Sequence, residues 1–201
     1  NLEAYEKRLN INIEDLKKNP NFKFINLSVM EIKQLKGEPF ERVYHMASPA
    51  SPNKNSKKSY MELPFETMKA NSHGTWVAAQ FALDNGAKFL FASTSEIYGD
   101  PLEHPQNEEY RGNVSTTGPR SVYDEAKRFG EAMTFAFLRK YNLDTRIIRI
   151  FNTYGPNMRK DDGRVVSNFI NQAIDGQPIT IYGEGLQTRS FCYIDDMVDG
   201  I

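Results

Sequence analysis

Three short apolar runs, each emptying into small or polar residues, constrain this chain more than any other feature. Arg42-Val-Tyr-His-Met46 runs into Ala47-Ser-Pro-Ala-Ser-Pro52, and Lys88-Phe-Leu-Phe-Ala-Ser93 into Thr94-Ser-Glu96. Thr145-Arg-Ile-Ile-Arg-Ile150 runs into Phe151-Asn-Thr-Tyr-Gly-Pro156. Continuous apolar runs suit strands buried on both faces, and such strands are parallel with helices between them. Ligands in open sheets of this kind bind outside the carboxyl ends of the strands. The expected fold is therefore α/β with a parallel sheet.

Between the runs the pattern is helical. Tyr60–Asn85 reads as one long helix with Pro64 in its first turn and Gly86 at its end, and Trp76, Val77, Phe81 and Leu83 are expected against the sheet. Ser121–Tyr141 reads as a second helix, with Phe129, Met133, Phe135, Ala136 and Leu138 in the core. Asn21–Leu27 reads as a further strand, Met30–Lys36 as a short helix stopped by Gly37, and Asp100–Arg120 as a long lid-like loop. Past Pro156 the pattern changes to a helix over 165–175, a short strand at Ile179–Tyr182, and a helix starting near Tyr193.

The second helix carries chemistry. Tyr123 and Lys127 are four residues apart and share a helix face. A phenol titrates near about 10, and a neighbouring ammonium favours the phenolate. Thr94 is placed to hydrogen-bond the same substrate hydroxyl that Tyr123 deprotonates. On its own, Tyr-x-x-x-Lys is also an ordinary helix surface pair.

With 201 residues, net charge −1 and a pI near 6.4, the chain does not have the basic balance of a nucleic-acid binder. Its single cysteine, Cys192, cannot form an internal disulfide and suits a reducing compartment. No apolar run reaches the roughly 18–20 residues of a membrane helix. The charges of Asn1–Pro20 read as a solvated face, and the Lys54, Lys57, Lys58 cluster as a solvated loop or a cover for a diphosphate. His45 reads as a strand-end core residue. His73 and His104 have no carboxylate or thiol at metal spacing, so no metal site is assigned.

Taken together, His45-Met-Ala-Ser48, Asn71-Ser-His-Gly-Thr75, Ser93-Thr-Ser-Glu-Ile-Tyr-Gly99, Tyr123-x-x-x-Lys127, Arg149-Ile-Phe-Asn-Thr-Tyr-Gly-Pro156 and Tyr182-Gly-Glu-Gly-Leu-Gln-Thr-Arg189 resemble the extended short-chain dehydrogenase/reductases that act on nucleotide sugars. Ala47-Ser-Pro-Ala-Ser-Pro52, Gly99-Asp-Pro101, Tyr123-Asp-Glu-Ala-Lys-Arg128 and Asp162-Gly-Arg-Val-Val-Ser-Asn-Phe169 look most like the decarboxylase branch, which converts UDP-glucuronate to UDP-xylose. The resemblance implies a Rossmann-like doubly wound sheet, incomplete at its N-terminus, over 1–155, and part of a smaller substrate-binding domain over 156–201. It also implies that the first strand, glycine-rich turn and second strand precede Asn1, since no such turn occurs in the sequence. The implied cofactor is NAD, the substrate a UDP-sugar, the assembly a homodimer and the location cytoplasmic.

By the same resemblance Thr94, Ser95, Glu96, Tyr123 and Lys127 are catalytic. Ala47, Ser48, Lys69, Ser93, Phe151 and Arg159, with Tyr123 and Lys127, face the cofactor. Asn152, Arg164, Asn168, Tyr182, Gln187 and Arg189 face the substrate. Ser28 and Asn157 depart from the branch, which has an acid and an arginine there. Ser95-Glu96 weighs against a 4,6-dehydratase, which carries Asp-Glu after the threonine, and Glu96 weighs against a 4-epimerase, which carries small residues. A non-catalytic dinucleotide-binding protein stands as a further alternative.

Overall fold

In the computed structural model, which describes residues 13–37, 39–53, 56–160 and 162–201, the three apolar runs are three parallel strands. They are β1 (Arg42–His45), β2 (Lys88–Thr94) and β3 (Thr145–Ile150), in the order β1-β2-β3. Val43 pairs with Phe89, and Phe91 with Ile147. β2 is central and buried from Phe89 to Thr94. Its end therefore lies between two neighbouring strand ends, where a parallel sheet forms its cleft.

The connection from β1 to β2 differs from the single helix expected. It is two helices, α1 (Pro64–Asn71) and α2 (His73–Asp84), broken at Ser72. Side chains at the break bond back to carbonyls one turn earlier: Asn71 to Thr67, Ser72 to Met68 and Thr75 to Asn71. Such back-bonding competes with the helix ladder and bends it. Gly74 follows the break, and a Cβ there would stand 3.0 Å from Val29 Cγ1. The bend thus lets α2 rest on the short 3-10 turn Val29–Gln34.

The core gathers Val43, Ala78, Ala79, Phe81, Ala82, Phe89, Phe91, Phe137 and Leu143 between α2, the sheet and α3 (Ser121–Tyr141). α3 lies close against β2 because residue 130 is glycine: a Cβ there would collide with the Phe91 ring. It ends on Asn142, left-handed at φ 54°, whose amide reaches Leu138 O at 2.9 Å.

Several expected core residues lie elsewhere. Phe129 and Phe135 are 49% and 42% exposed, because Gly130, Thr134 and Phe137 form the face that meets the sheet. Trp76 is 38% exposed, stacked on His73 and capped by Lys33. Two expected strands do not form. Asn21–Leu27 has no ladder partner among the described residues, and Phe24 and Ile25 are exposed. At Ile179–Tyr182 the Gln172 side chain takes the place of a partner strand, pairing with the Thr180 amide and hydroxyl.

Beyond β3 the chain forms a second, two-stranded parallel sheet, β4 (Asn152–Tyr154) with β5 (Phe191–Tyr193). α4 (Val165–Ile174) and α5 (Ile194–Gly200) flank it. Asn1–Asn12 and Lys54, on which some of the charge expectations fall, lie outside the described residues. No helix of the described residues is long and apolar enough to cross a membrane.

Candidate active site

β2 ends at Thr94, whose hydroxyl caps the 3-10 turn Ser95–Tyr98 by accepting from the Glu96 amide at 3.3 Å. This turn carries Ser95 and Glu96 out over the strand ends. α3 starts opposite, so Tyr123 and Lys127 arrive in its first two turns. Tyr123 is buried, and Thr94 acts on its phenol. The expected cluster of Thr94, Glu96, Tyr123 and Lys127 is thus brought together at one place.

The electrostatics differ from the expectation. Burial, reinforced by the negative charge of Glu96, pushes the Tyr123 phenol up to about 12, while Thr94 and the charge of Arg164 act the other way. Lys127 does not meet the phenol oxygen. Its Nζ donates to the Ala92 carbonyl at 2.7 Å and stands 5.8 Å from the Tyr123 ring centre. Burial lowers the Lys127 pKa to about 8. His45 is held neutral, its pKa lowered to about 4 by burial and then by Lys127, and its Nε2 has no partner.

Three residues that the sequence reading missed complete the cluster. Arg120 Nη2 meets Glu96 Oε2 at 2.6 Å. Asp124 is buried, and burial first, then the negative charge of Glu96, raises its carboxyl to about 7. Tyr60 is fully buried, stacked on Tyr123 at 4.8 Å and 13°, and its hydroxyl has no partner. Asp124 and Arg120 could have been noticed as charges beside the tyrosine at a helix start. Tyr60 lies 63 residues from Tyr123 and left no local signal.

The remaining expected residues fall into groups. Arg164 joins the cluster: Nη2 reaches Ala50 O at 3.2 Å and its charge acts on Tyr123. Ala47 is exposed at the end of β1, and the Ser48 hydroxyl takes a 2.7 Å bond from Asn71. Lys69 is exposed on α1. The Ser93 hydroxyl is committed to Glu131 at 2.6 Å, which tethers β2 to α3. Phe151 packs near Tyr98, and Asn152 donates to Ser190 O. Arg159 lies on the loop ahead of α4, and Asn168, within α4, donates to Gly163 O. Tyr182, Gln187 and Arg189 form an exposed loop of their own: Gln187 donates to Tyr182 O, and Tyr182 is 74% exposed. That loop is not drawn to Tyr123 by any described hydrogen bond or ion pair.

The loop 100–120 is fastened at its root. Asn113 closes on Tyr98 and Asp100, and Arg128 donates to the carbonyls of Ile97 and Arg111. Arg149 grips Glu131 with two nitrogens and reaches Tyr98 and the Glu108 carbonyl with a third.

A profile of the NAD dependent epimerase/dehydratase family matches residues 6–201. The chain is 47% identical over 190 residues to UDP-glucuronic acid decarboxylase 1 of Xenopus tropicalis, covering 94% of this chain and 43% of the relative. It is 50% identical over 183 residues to UDP-glucuronic acid decarboxylase 4 of Arabidopsis thaliana, covering 91% and 40%. The chain therefore spans less than half the length of each. Among solved structures, UDP-glucuronic acid 4-epimerase from Bacillus cereus, in complex with UDP-glucuronic acid and NAD, superposes with a TM-score of 0.77 at 25% identity, covering 97% of this chain and 59% of that one. The dTDP-glucose 4,6-dehydratase DesIV from Streptomyces venezuelae shares the fold with a TM-score of 0.79 at 23% identity, covering 94% and 56%.

Proposed function

Because this chain belongs to the NAD dependent epimerase/dehydratase family, we propose that it carries the catalytic centre of a carboxy-lyase that converts UDP-glucuronate to UDP-xylose. The observation that carries this reading is the Glu96 carboxyl, on the turn directly after Thr94 and paired with Arg120; the Glu96 charge reaches the buried Tyr123. One cluster thus offers a base for a sugar hydroxyl and a carboxyl for a second proton. Identities of 47% and 50% to UDP-glucuronic acid decarboxylases support the same choice.

NAD fits the strand ends. Ala47 is small and exposed there, and Lys127 has one acceptor, Ala92 O, for its three N–H donors, leaving donors for a ribose. Ala47, Ser48, Lys127 and Tyr123 would hold that part of the cofactor, with Lys69, Ser93, Phe151 and Arg159 around it. When bound, NAD takes a hydride from the sugar and later returns it, so net redox is zero.

Tyr123 removes the C4 hydroxyl proton while Thr94 holds the oxygen. The resulting 4-keto sugar is a β-keto acid, and its carbonyl accepts the electrons released when CO₂ leaves. Ser95 orients the carboxylate, and Glu96 or its water protonates C5. Tyr123 then gives its proton back to the C4 oxygen. Arg164, whose charge is felt at Tyr123, and Asn152, Asn168, Tyr182, Gln187 and Arg189 extend the UDP-sugar site. In this reading residues 1–155 belong to the cofactor domain and 156–201 to the substrate domain of a cytoplasmic homodimer. Half-exposed Phe129 and Phe135 on α3 offer the dimer an apolar face.

The test is incubation of the full-length protein with UDP-glucuronate. UDP-xylose, identified by mass, and CO₂ are expected in equal amounts, with retained NAD visible in the absorbance of the purified protein. The 4-epimer without CO₂ would assign the epimerase alternative. No product and no retained NAD would assign a non-catalytic protein.

A further inference from the structure

One guanidinium joins four elements around the site. Arg149, on β3, donates to both carboxylate oxygens of Glu131 on α3, from Nε at 3.0 Å and from Nη2 at 2.8 Å. Its Nη1 donates to the Tyr98 hydroxyl at 2.8 Å and to the Glu108 carbonyl at 2.9 Å. Tyr98 closes the turn Ser95–Tyr98, and Glu108 lies in the loop 100–120. A planar fork of donors can span these groups, and a point charge cannot.

We propose that Arg149 is a positioning residue that aims Glu96 through Tyr98 and the loop, and that it governs the protonation of C5 while leaving the oxidation at C4 to other bonds. The role at C5 rests on the decarboxylase reading above; the tether does not.

Glu96 is reached from two sides, and Arg149 holds both. Along the turn, Glu96 lies two residues before Tyr98. Tyr98 is buried, and its hydroxyl accepts from Arg149 while donating to the Asn107 carbonyl at 2.8 Å. From the other side comes Arg120, at the end of the loop, whose Nη2 meets Glu96 Oε2 at 2.6 Å. The loop is thus pinned at Asn107 and Glu108 by one tyrosine–arginine pair, and its far end carries the cation that faces Glu96. Arg128 holds the turn separately, donating to the Ile97 carbonyl at 2.8 Å. Loss of the Tyr98 bond therefore leaves the turn in place and changes its aim.

The oxidation groups are fixed elsewhere. The Ala92 carbonyl accepts from Lys127 at 2.7 Å, and the Ser93 hydroxyl donates to Glu131 at 2.6 Å. Two successive residues of β2 are thereby stitched to two successive turns of α3. Thr94 follows directly and pairs in register with Ile150 of β3. Neither the stitch nor the ladder passes through Tyr98.

The step concerned balances. The bond from C5 to the carboxyl breaks, CO₂ leaves, and the electron pair stays in a C4–C5 enolate. A C5–H bond then forms with a proton from Glu96 or its water, and solvent replaces that proton.

Two measurements on the full-length protein test this. The first is amide hydrogen exchange without substrate in Tyr98→Phe, which keeps the ring stacked on Tyr110 and the Glu131–Arg149 pair. Residues 95–113 should exchange about 2–10-fold faster, the worth of one ordinary hydrogen bond, and residues 88–94 at the normal rate. Unchanged exchange, or equal acceleration of both segments, overturns the tether. The second is single-turnover kinetics with UDP-glucuronate. In Tyr98→Phe, NADH should form within a few-fold of the normal rate. UDP-xylose should follow at least about tenfold more slowly, since a misplacement near 1 Å costs up to about 10²-fold. Arg149→Lys keeps a charge beside Glu131 without the fork, and should show at least the same split. The double variant should be no slower than Arg149→Lys, because both changes cut one network. Where Arg149→Lys does not fold, Tyr98→Phe decides. A normal product rate in Tyr98→Phe, equal losses of NADH formation and product, or multiplied losses in the double variant overturn the role of Arg149. If the wild type makes no UDP-xylose, the decarboxylase reading and the role at C5 fall together, and the exchange result still decides the tether.

Discussion

The Lys127 ammonium donates to the Ala92 carbonyl at 2.7 Å, while its Nζ stays 5.8 Å from the centre of the Tyr123 ring one helical turn away. The lysine is thereby pinned to the backbone of β2, behind the phenol. Its positive charge is fixed in place by a strand that also ends in Thr94. The phenol, at about 12, is far from ionised at neutral pH in this arrangement. In the proposed reaction Tyr123 therefore acts as a base only once substrate and cofactor complete its surroundings.

Tyr123→Phe should abolish hydride transfer and leave the fold intact. The ring stacked on Tyr60 is kept, and only the hydroxyl is lost. A general base contributes about 10²–10⁴-fold, so NADH formation in single turnover should fall at least that far. A near-normal rate would remove Tyr123 from the mechanism.

Lys127→Met should stabilise the protein while destroying activity. A lysine at about 8 in the fold and 10.5 when unfolded is penalised for its charge at every pH below 8. That difference corresponds to about 3 kcal/mol, less what the bond to Ala92 O returns. Between pH 8 and 10.5 the unfolded chain holds more protons than the folded one, so wild-type stability rises with pH there. Denaturant melts at pH 7 and pH 10 should show the gap between variant and wild type closing. A gap that widens with pH contradicts the assignment.

The parallel sheet was legible because β2 is apolar from Phe89 to Ala92 and β3 carries Ile147, Ile148 and Ile150, each run leading into hydroxyl or amide residues. The Tyr123/Lys127 helix was legible because its ends coincide with Ser121 and Tyr141. What was not legible depends on distant partners. Asn21–Leu27 has strand-like residues but, among the described residues, no strand to pair with, and a ladder needs two members. The break at Ser72 comes from three side chains bonding backwards, each unremarkable alone. Asp124 reads as an exposed charge in a first helical turn until the fold lays the Glu96 turn over it. The lowering of the phenol by Lys127 failed for the same reason: helical spacing fixes a face, and not which acceptor the ammonium takes.

Glu131→Gln should cost about 3–5 kcal/mol, the range for breaking a buried ion pair by removing one partner. Glu131 accepts from Ser93 and from two nitrogens of Arg149, which in turn holds Tyr98 and the Glu108 carbonyl. The same change should loosen the loop 100–120. Limited proteolysis is expected to cut that loop faster than in the wild type, beside a lowered denaturant midpoint. An unchanged midpoint would show that the pair is dispensable.

Glu96→Gln separates the steps of the proposed reaction. Thr94 and Tyr123 serve the C4 hydroxyl, and Glu96 stands two residues further along the turn with Asp124 and Arg120. The amide keeps the size of the side chain but can no longer release a proton. It also removes the nearest negative charge from Tyr123, whose phenol is pushed up by burial first and by Glu96 next. The first oxidation should therefore survive or quicken in the full-length variant. The C5 proton should then arrive late, so NADH builds in a burst and UDP-xylose follows at least about tenfold more slowly. The trace to record is absorbance at the NADH band beside product by mass. If the variant forms neither NADH nor CO₂, Glu96 acts in substrate binding or the first oxidation, and the division of labour between Tyr123 and Glu96 is wrong.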